Sequence, residues 1–380
     1  MRSVELDAKR YLTGLSPASQ AIPFRAESIP PGVAAINAPA VWSLTQGEGI
    51  RVGIMDTGID PAHADLIANY KGGYDFVRND TDPDDESPVQ PMHGTTMAGV
   101  IAAAANGTGV IGVAPRAEIY ALKIFGSSST ESSTIIAALD WAIANGIDVL
   151  NCSFGGEGRL QLEEEAYRRA KEAGIVVVAS SGNNAQERVN CPACYDDLVL
   201  AVGAIDREGA LAPFSNWGLQ SDFVAPGVDV LSTAATGGAV TGGLLVDGTS
   251  LFGSWITGPS GAEVSGVLSE GFVSGAIGII PRGVTRTDNE LLVLDARNAG
   301  AAGIVFVNDG NGACVMTLTR NRSNPPAICV SRDEGAMLRA RAGQTATLGI
   351  YADDYRVASG TSMAAPHVAG AAALLLALRR

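Results

Sequence analysis

Val52-Gly53-Ile54-Met55-Asp56-Thr57-Gly58 is the stretch that decides the fold, because a short apolar run ends there on an aspartate and a glycine turn. From Ile50 onward, similar apolar runs alternate with Ala-rich segments of helical period. This alternation predicts a parallel sheet covered by helices, hence an α/β fold. Ligands bind such sheets beyond the carboxyl ends of the strands. Asp56 is therefore expected at the functional edge of the sheet.

The elements of this sheet have short, clearly bounded patterns. The predicted strands are Ile50 to Met55, Glu118 to Ile124, Asp148 to Ser153, Ile175 to Ala179 and Leu198 to Gly203. The predicted helices are His93 to Ala105, Thr134 to Asn145 and Gln161 to Ala173. The last two helices are followed by Gly146 and Gly174, where a left-handed residue commonly ends a helix.

Two further glycine-flanked segments carry chemistry. His93 begins His93-Gly94-Thr95, and Ser362 lies within Gly360-Thr361-Ser362-Met363-Ala364. Each residue alone has an ordinary interpretation: a carboxylate that ends a strand, a structural histidine and a serine helix cap. Together they supply a nucleophile, a base that takes its proton and a carboxylate that orients the base. The combination predicts an Asp56, His93 and Ser362 triad.

The order Asp, His, Ser is the known order of subtilisin, and all three settings resemble the subtilisin-like serine proteases, or subtilases. The resemblance covers roughly Glu27 to Ala235 and Tyr355 to Arg380. It implies a serine endopeptidase that works through an acyl-enzyme. It also implies that Asn183, in Ala179-Ser180-Ser181-Gly182-Asn183, donates to the oxyanion, although a turn after a strand would explain this asparagine equally well.

The resemblance also implies where a substrate lies. A peptide substrate is expected as an extended strand against Ser153, Phe154, Gly155 and Gly156, exchanging main-chain hydrogen bonds with them. Phe154 would give this surface an apolar wall. Protein or peptide chains are the partners expected from this arrangement.

The domain organisation follows from a break in the pattern after Ala235. Residues 236–354 restart a strand and helix pattern, and they resemble the protease-associated (PA) domain inserted in some subtilases, an α+β, β-rich unit. The catalytic domain then comprises residues 27–235 and 355–380, with a short C-terminal end, and residues 1–26 form an N-terminal arm or propeptide remnant.

A calcium site is a further implication of the resemblance. Glu27, Asp65 and Asn106 occupy the positions of a family calcium loop, and carboxylate and amide oxygens suit Ca²⁺. The alternative is that the acidic run from Asp80 to Glu86 binds a cation or is simply solvated. No organic cofactor is implied.

Composition limits the partners and the compartment. The net charge of −14 argues against nucleic acid and anionic membranes as partners, and oligomeric state is left open. The resemblance favours a secreted or extracellular protein, whereas the charged first residues do not form a signal peptide, so an intracellular protein stays an alternative. Local disulfides Cys191–Cys194 and Cys314–Cys329 with a buried Cys152 thiol, or five reduced cysteines, both fit the spacing.

Two other functions remain compatible with these motifs. The chain could be a catalytically weak scaffold whose inserted domain binds peptides. Alternatively, an amine could capture the acyl-enzyme instead of water, which would make the protein a peptide ligase or transpeptidase.

Overall fold

The computed structural model describes residues 9–12, 16–17, 27–86, 92–247, 249–257, 262–284, 286–308 and 324–380. The chain divides into two compact units. The first, here called the sheet unit, comprises Met1–Leu15, Phe24–Thr236 and Ala358–Arg380. The second, the barrel unit, comprises Ser16–Pro23 and Gly237–Val357.

A seven-stranded sheet, parallel throughout, forms the centre of the sheet unit. In spatial order its strands are Phe223–Pro226, Leu200–Ile205, Val176–Ser180, Val149–Cys152, Arg51–Asp56, Glu118–Lys123 and Tyr70–Asp75. The central strands are apolar because helices cover both faces of the sheet there. The predicted α/β class is confirmed.

Two separate apolar cores cover the two faces of this sheet. On one face, Val52 and Ile54 pack with the helices His93–Ala102 and Thr361–Ala377, the histidine helix and the serine helix. On the other face, Met55 and Leu150 pack with the helices Ser132–Ala144 and Gln161–Glu172. The alternation of Ile54 and Met55 between the two cores is the period-2 pattern of a strand.

Short elements complete the sheet unit. They are the helix Pro31–Ala35, the 3₁₀ helix Ala38–Val41 and the strands Lys9–Leu12, Ser129–Glu131, Phe154–Gly155 and Val230–Thr233. Lys9–Leu12 lies between Ser129–Glu131 and Phe154–Gly155 and is antiparallel to both. We call it the N-terminal strand.

The barrel unit is a closed seven-stranded barrel. Around the barrel the strands are Ala239–Val246, Thr249–Thr257, Ala327–Ser331, Gly303–Asn308, Ile277–Pro281, Glu263–Glu270 and Thr345–Asp353. Its helices are Arg286–Asn298 and Arg332–Arg339. The strand Ser16–Pro17 also falls in this unit, and Tyr355–Ser359 leads from it toward the serine helix. Among the described residues, no helix is long and apolar enough to cross a membrane.

Candidate active site

Asp56 ends its strand at the carboxyl edge of the main sheet and is fully buried. Its two carboxylate oxygens lie 2.7 and 2.8 Å from Nδ1 of His93, which is also fully buried. The backbone N–H of Thr57 donates to Oδ1 of Asp56 over 2.7 Å. A carboxylate held this way accepts the Nδ1 proton and leaves Nε2 as the basic atom of the imidazole.

The close approach of Asp56 and His93 depends on glycine. A Cβ atom on Gly94 would lie 2.1 Å from the carbonyl oxygen of Gly58 and 3.1 Å from Cβ of Asp56. Its backbone N–H instead donates to the hydroxyl of Thr57 over 2.9 Å. The glycine after His93 therefore lets the histidine helix begin directly against the turn that follows the Asp56 strand.

Asp85 holds the first turn of the histidine helix from the other side. Its Oδ2 accepts hydrogen bonds from the backbone N–H of Thr95 (3.0 Å) and from the Thr95 hydroxyl (2.7 Å). Burial raises the pKa of the Asp85 carboxyl, and the bonds from Thr95 oppose that rise. The sequence placed Asp85 only within an acidic run, so no local signal identified its role.

Ser362 is buried near the start of the serine helix, which packs against the histidine helix. Pro366 lies four residues later and has no N–H to donate to the Ser362 carbonyl. The hydroxyl of Ser153 donates to that carbonyl instead, over 2.9 Å, while accepting from Nδ2 of Asn151 over 2.9 Å. Ser153 therefore replaces a missing helical hydrogen bond at the position of Ser362.

Several buried polar atoms at or near the site have no hydrogen-bond partner within the described part of the chain. They include Nε2 of His93 and the hydroxyl oxygen of Ser362, as well as Oδ1 of Asp85 and Oδ1 of Asn151. A buried polar group without a partner costs free energy, so each such atom calls for an explanation. The structure thus brings Asp56 and His93 together but does not join His93 to Ser362 by a hydrogen bond, which in free enzymes is commonly long.

Asn183 lies beside the serine helix. Its Oδ1 accepts from the backbone N–H of Thr361 (2.9 Å) and from the Thr361 hydroxyl (2.8 Å), one residue before Ser362. Asn216, which was not predicted as a site residue, fixes the same loop: its Oδ1 accepts from the N–H of Asn184 and its Nδ2 donates to the carbonyl of Ser181. No periodic or glycine-flanked pattern marks Asn216.

The segment predicted to bind substrate is already occupied in part by the chain itself. Gly155 pairs with Tyr11 and Phe154 with Leu12 of the N-terminal strand. Phe154 is fully buried, and its ring centroid lies 5.6 Å from that of Phe125. The Phe154 side chain therefore packs in the apolar core and supports the predicted substrate-binding segment from inside the protein.

Gly156 lies at the far end of this segment. Its N–H donates to the carbonyl of Cys191 and its carbonyl accepts from the N–H of Cys191, both over 2.9 Å. Cys191 and Cys194 form the predicted local disulfide. Cys152 is a free buried thiol. Cys314, the predicted partner of Cys329, lies outside the described residues.

The predicted calcium ligands lie around one loop, but they bond to the protein. Oε1 of Glu27 accepts from the N–H of Gly107 over 2.6 Å, and Oδ2 of Asp65 accepts from the N–H of Val110 over 2.9 Å. Asn106 turns its amide nitrogen, not its oxygen, to Oδ1 of Asp65 over 3.1 Å. No cluster of three His, Cys, Asp or Glu side chains suited to a metal occurs among the described residues. As arranged, Glu27 and Asp65 supply carboxylate oxygens to this loop, and Asn106 would have to turn its amide to add a third oxygen.

An α/β sheet that carries a buried aspartate–histidine pair at its strand edge is the arrangement expected of a serine hydrolase. The sequence profile of the Subtilase family matches residues 47–265 and 328–380, well over half of the chain. The chain belongs to this family. The enzyme class that it matches is that of the serine endopeptidases.

Known relatives match about half of the chain. The chain is 43% identical over 211 residues to an alkaline protease of Alkalihalobacillus alcalophilus, which covers 55% of this chain and 53% of that protein. It is 43% identical over 211 residues to subtilisin Savinase of Lederbergia lenta, covering 55% of this chain and 75% of the relative. The match thus spans about half the length of the alkaline protease.

A solved structure extends the likeness. The crystal structure of the psychrophilic subtilisin-like protease Apa1 from the Antarctic psychrotroph Pseudoalteromonas sp. AS-11 is similar, with a TM-score of 0.74 and 28% sequence identity. The similarity covers 92% of this chain and 87% of that chain.

Proposed function

We propose that this protein is a serine endopeptidase that hydrolyses peptide bonds through Asp56, His93 and Ser362. The observation that carries the proposal is that Nε2 of His93 and Oγ of Ser362 are both buried and have no hydrogen-bond partner among the residues that the structure describes. Asp56 holds Nδ1 of His93, which leaves Nε2 able to accept a proton, and the Ser362 hydroxyl is bonded to no other described group. The two groups therefore match the base and the nucleophile of a catalytic pair.

The reaction proceeds in two halves. His93 Nε2 takes the proton of Ser362 as its oxygen attacks the scissile carbonyl, and Asp56 stabilises the imidazolium that forms. The tetrahedral intermediate collapses when His93 gives the proton to the leaving amine. In the second half, His93 takes a proton from water as the water attacks the acyl-enzyme. His93 then gives that proton to Ser362, which releases the acid and restores the serine hydroxyl.

The oxyanion of each tetrahedral intermediate accepts from the Asn183 amide and from the backbone N–H of Ser362. The two hydrogen bonds from Thr361 to Oδ1 of Asn183 support this role, because they fix the amide beside the serine. One such donor is worth about 3 kcal/mol of barrier, a magnitude measured on a subtilisin.

Substrates are extended segments of proteins or peptides that pair with Phe154 and Gly155 beside Ser153. The antiparallel pairing of the N-terminal strand with Phe154 and Gly155 supports this binding mode, since it uses the same backbone groups. The paired state of Gly156 favours a shorter binding segment than the sequence predicted. Residues 236–354, which lie almost wholly within the barrel unit, are proposed as an inserted PA domain that selects substrates.

Location and metal content are subordinate proposals. Membership in the Subtilase family favours an extracellular protein that needs no organic cofactor. Structural calcium at Glu27, Asp65 and Asn106 is a further proposal, and it requires that Asn106 reverse its amide to offer an oxygen. A melting temperature unchanged by chelators would remove calcium from the account.

A fluorophosphonate probe tests the activity, because it labels only an activated serine. We expect labelling at Ser362, loss of labelling in His93→Ala, and peptide fragments with free carboxyl ends. A folded protein that binds peptides without being labelled would instead be a scaffold. Products joined to added amines, in place of fragments, would indicate a transpeptidase.

A further inference from the structure

A fully buried arginine lies in the N-terminal strand, inside the sheet unit. Arg10 pairs with Thr130, and the following residues Tyr11 and Leu12 pair with Gly155 and Phe154. The strand therefore runs where the proposed function puts a peptide substrate. Its one described side chain, that of Arg10, enters the interior rather than solvent.

The cavity wall around Arg10 matches a guanidinium group. Its Nη2 donates to Oε2 of Glu163 over 2.7 Å and to the carbonyl of Gly158 over 3.1 Å. Its Nη1 donates to the carbonyl of Glu157 over 3.0 Å, and its Nε lies 3.3 Å from the same Glu163 oxygen. A carboxylate and two carbonyls around one guanidinium are acceptors that match the donors of its fork.

Glu163 is itself built into the interior. Its side chain is 1% exposed, and the hydroxyl of Tyr195 donates to its Oε2 over 2.9 Å. Its other oxygen, Oε1, has no hydrogen-bond partner within the described residues. A buried carboxylate that loses its cation is strongly disfavoured. Whenever the N-terminal strand leaves, the same site therefore favours another positively charged side chain.

We propose that Glu163, with the carbonyls of Glu157 and Gly158, forms an arginine-selective subsite for peptide substrates. This inference rests on the proposed peptidase function. In the register of the N-terminal strand, the arginine stands three residues before the position opposite Ser153. Ser153 bonds to the carbonyl of Ser362, so the residue opposite Ser153 lies beside the nucleophile, and the proposal assigns the attacked carbonyl to it. The subsite therefore binds the side chain of the fourth residue before the cleaved bond.

Arginine is distinguished from lysine by the same geometry. Lysine carries a compact charge on one nitrogen, whereas the fork of Arg10 donates to all three acceptors from two separate nitrogens. Citrulline has nearly the shape of arginine without its charge. These two residues are therefore the informative substitutes in a substrate.

The experiment compares peptides that differ only at this position, with arginine, citrulline or lysine, on the full chain. Every peptide must displace the same N-terminal strand, so the ratio of kcat/KM values does not depend on how often that strand leaves. We expect arginine to exceed citrulline by about ten- to a hundredfold, as for hydrogen bonds to a charged group. Mass spectrometry should show that the cleaved bond follows the fourth residue of the peptide segment in which arginine is the first residue.

Two variants separate the subsite from general charge effects. Glu163→Gln should bring the arginine-to-citrulline ratio close to one. Glu164→Gln is the matched control: Glu164 pairs on the surface with Arg159 and Arg168, and its loss should leave the ratio unchanged. The wild-type comparison stands by itself if Glu163→Gln does not fold.

The outcomes are distinct. Equal rates for arginine and citrulline peptides in an active enzyme would show that the pocket only anchors the N-terminal strand, and would overturn the inference while sparing the peptidase. Failure to cleave any peptide would overturn the proposed function and this subsite with it.

Discussion

At the scale of single residues, the site depends on a few polar contacts that compensate for one another. Pro366 removes a hydrogen bond from the carbonyl of Ser362, and Ser153 restores it. Asp56 fixes His93 from one side, while Asp85 fixes the next turn through Thr95. The triad candidates were readable in the sequence because glycines flank them. Asp85, Asn216 and the Arg10–Glu163 pair were not, because contacts between distant single residues leave no local pattern.

Ser153→Ala should weaken the serine position. The Ser362 carbonyl would lose its replacement donor, at a cost of roughly 1–3 kcal/mol in the free energy of unfolding. We also expect kcat to fall by about tenfold, since part of that energy holds Ser362 in place. Denaturant unfolding and peptide kinetics measure the two effects, with the exposed Ser43→Ala as control. Unchanged stability and kcat would show that the bond has no role.

His367 makes the free energy of unfolding depend on pH. It is buried, its Nδ1 lies 2.8 Å from the carbonyl of Met363, and burial lowers its pKa from 6.5 to about 4. Below pH 6.5, His367 is protonated in the unfolded chain, but in the folded chain it stays neutral down to about pH 4. The free energy of unfolding therefore falls as pH falls through this window.

The variant His367→Asn keeps a donor toward Met363 but does not titrate. Between pH 7 and pH 4, the wild type should lose roughly 3 kcal/mol more unfolding free energy than this variant. The difference between the two proteins isolates His367 from the other titrating groups. Parallel stability curves would contradict the assignment.

At the scale of elements, strands buried on both faces were predictable and half-buried ones were not. The strands around Ile54, Leu150 and Val178 are continuous apolar runs, as expected for the middle of a parallel sheet. The edge strand Tyr70–Asp75 was missed because it contains two glycines and is only partly buried. The barrel strands Ala239–Val246 and Thr249–Thr257 were not predicted. They pair with each other as an antiparallel hairpin, but their other partners, Thr345–Asp353 and Ala327–Ser331, lie far along the chain.

Gly94→Ala should separate the histidine helix from the Asp56 turn. The added methyl group would overlap the carbonyl of Gly58, a backbone atom that cannot move away cheaply. A displacement of about 1 Å in a catalytic group costs roughly a hundredfold in rate.

Gly99→Ala is the control on the same helix, because its methyl group would meet side chains of Ser232 and Thr233 instead. Both variants should be less stable, but only Gly94→Ala should lose about a hundredfold in kcat at a temperature where both are folded. Equal kcat values for the two would show that the contact with Gly58 does not position His93.

At the scale of the whole molecule, the chain combines a parallel-sheet unit and a barrel unit. All the residues assigned to chemistry lie in the sheet unit. The two ends of the barrel segment meet: Gly237 donates to Asp354 over 2.6 Å, and Ala239 pairs with Asp353. Insertions whose ends meet are tolerated by the domain that carries them.

Replacing residues 237–357 by a short linker should therefore keep the hydrolysis of small chromogenic peptides and change that of whole proteins. Steady-state kinetics on both substrate types provides the measurement, and circular dichroism verifies folding. A folded deletion variant inactive on small peptides would show that the barrel unit completes the active site.

Turnover by Ser362→Ala tests the central claim most directly. If Ser362 is the nucleophile, kcat should fall by about a million-fold with an unchanged fold, the magnitude measured on a subtilisin. Because the triad acts as a unit, Ser362→Ala/His93→Ala should be hardly worse than either single variant. A folded Ser362→Ala protein that keeps a tenth of the wild-type kcat would contradict the account.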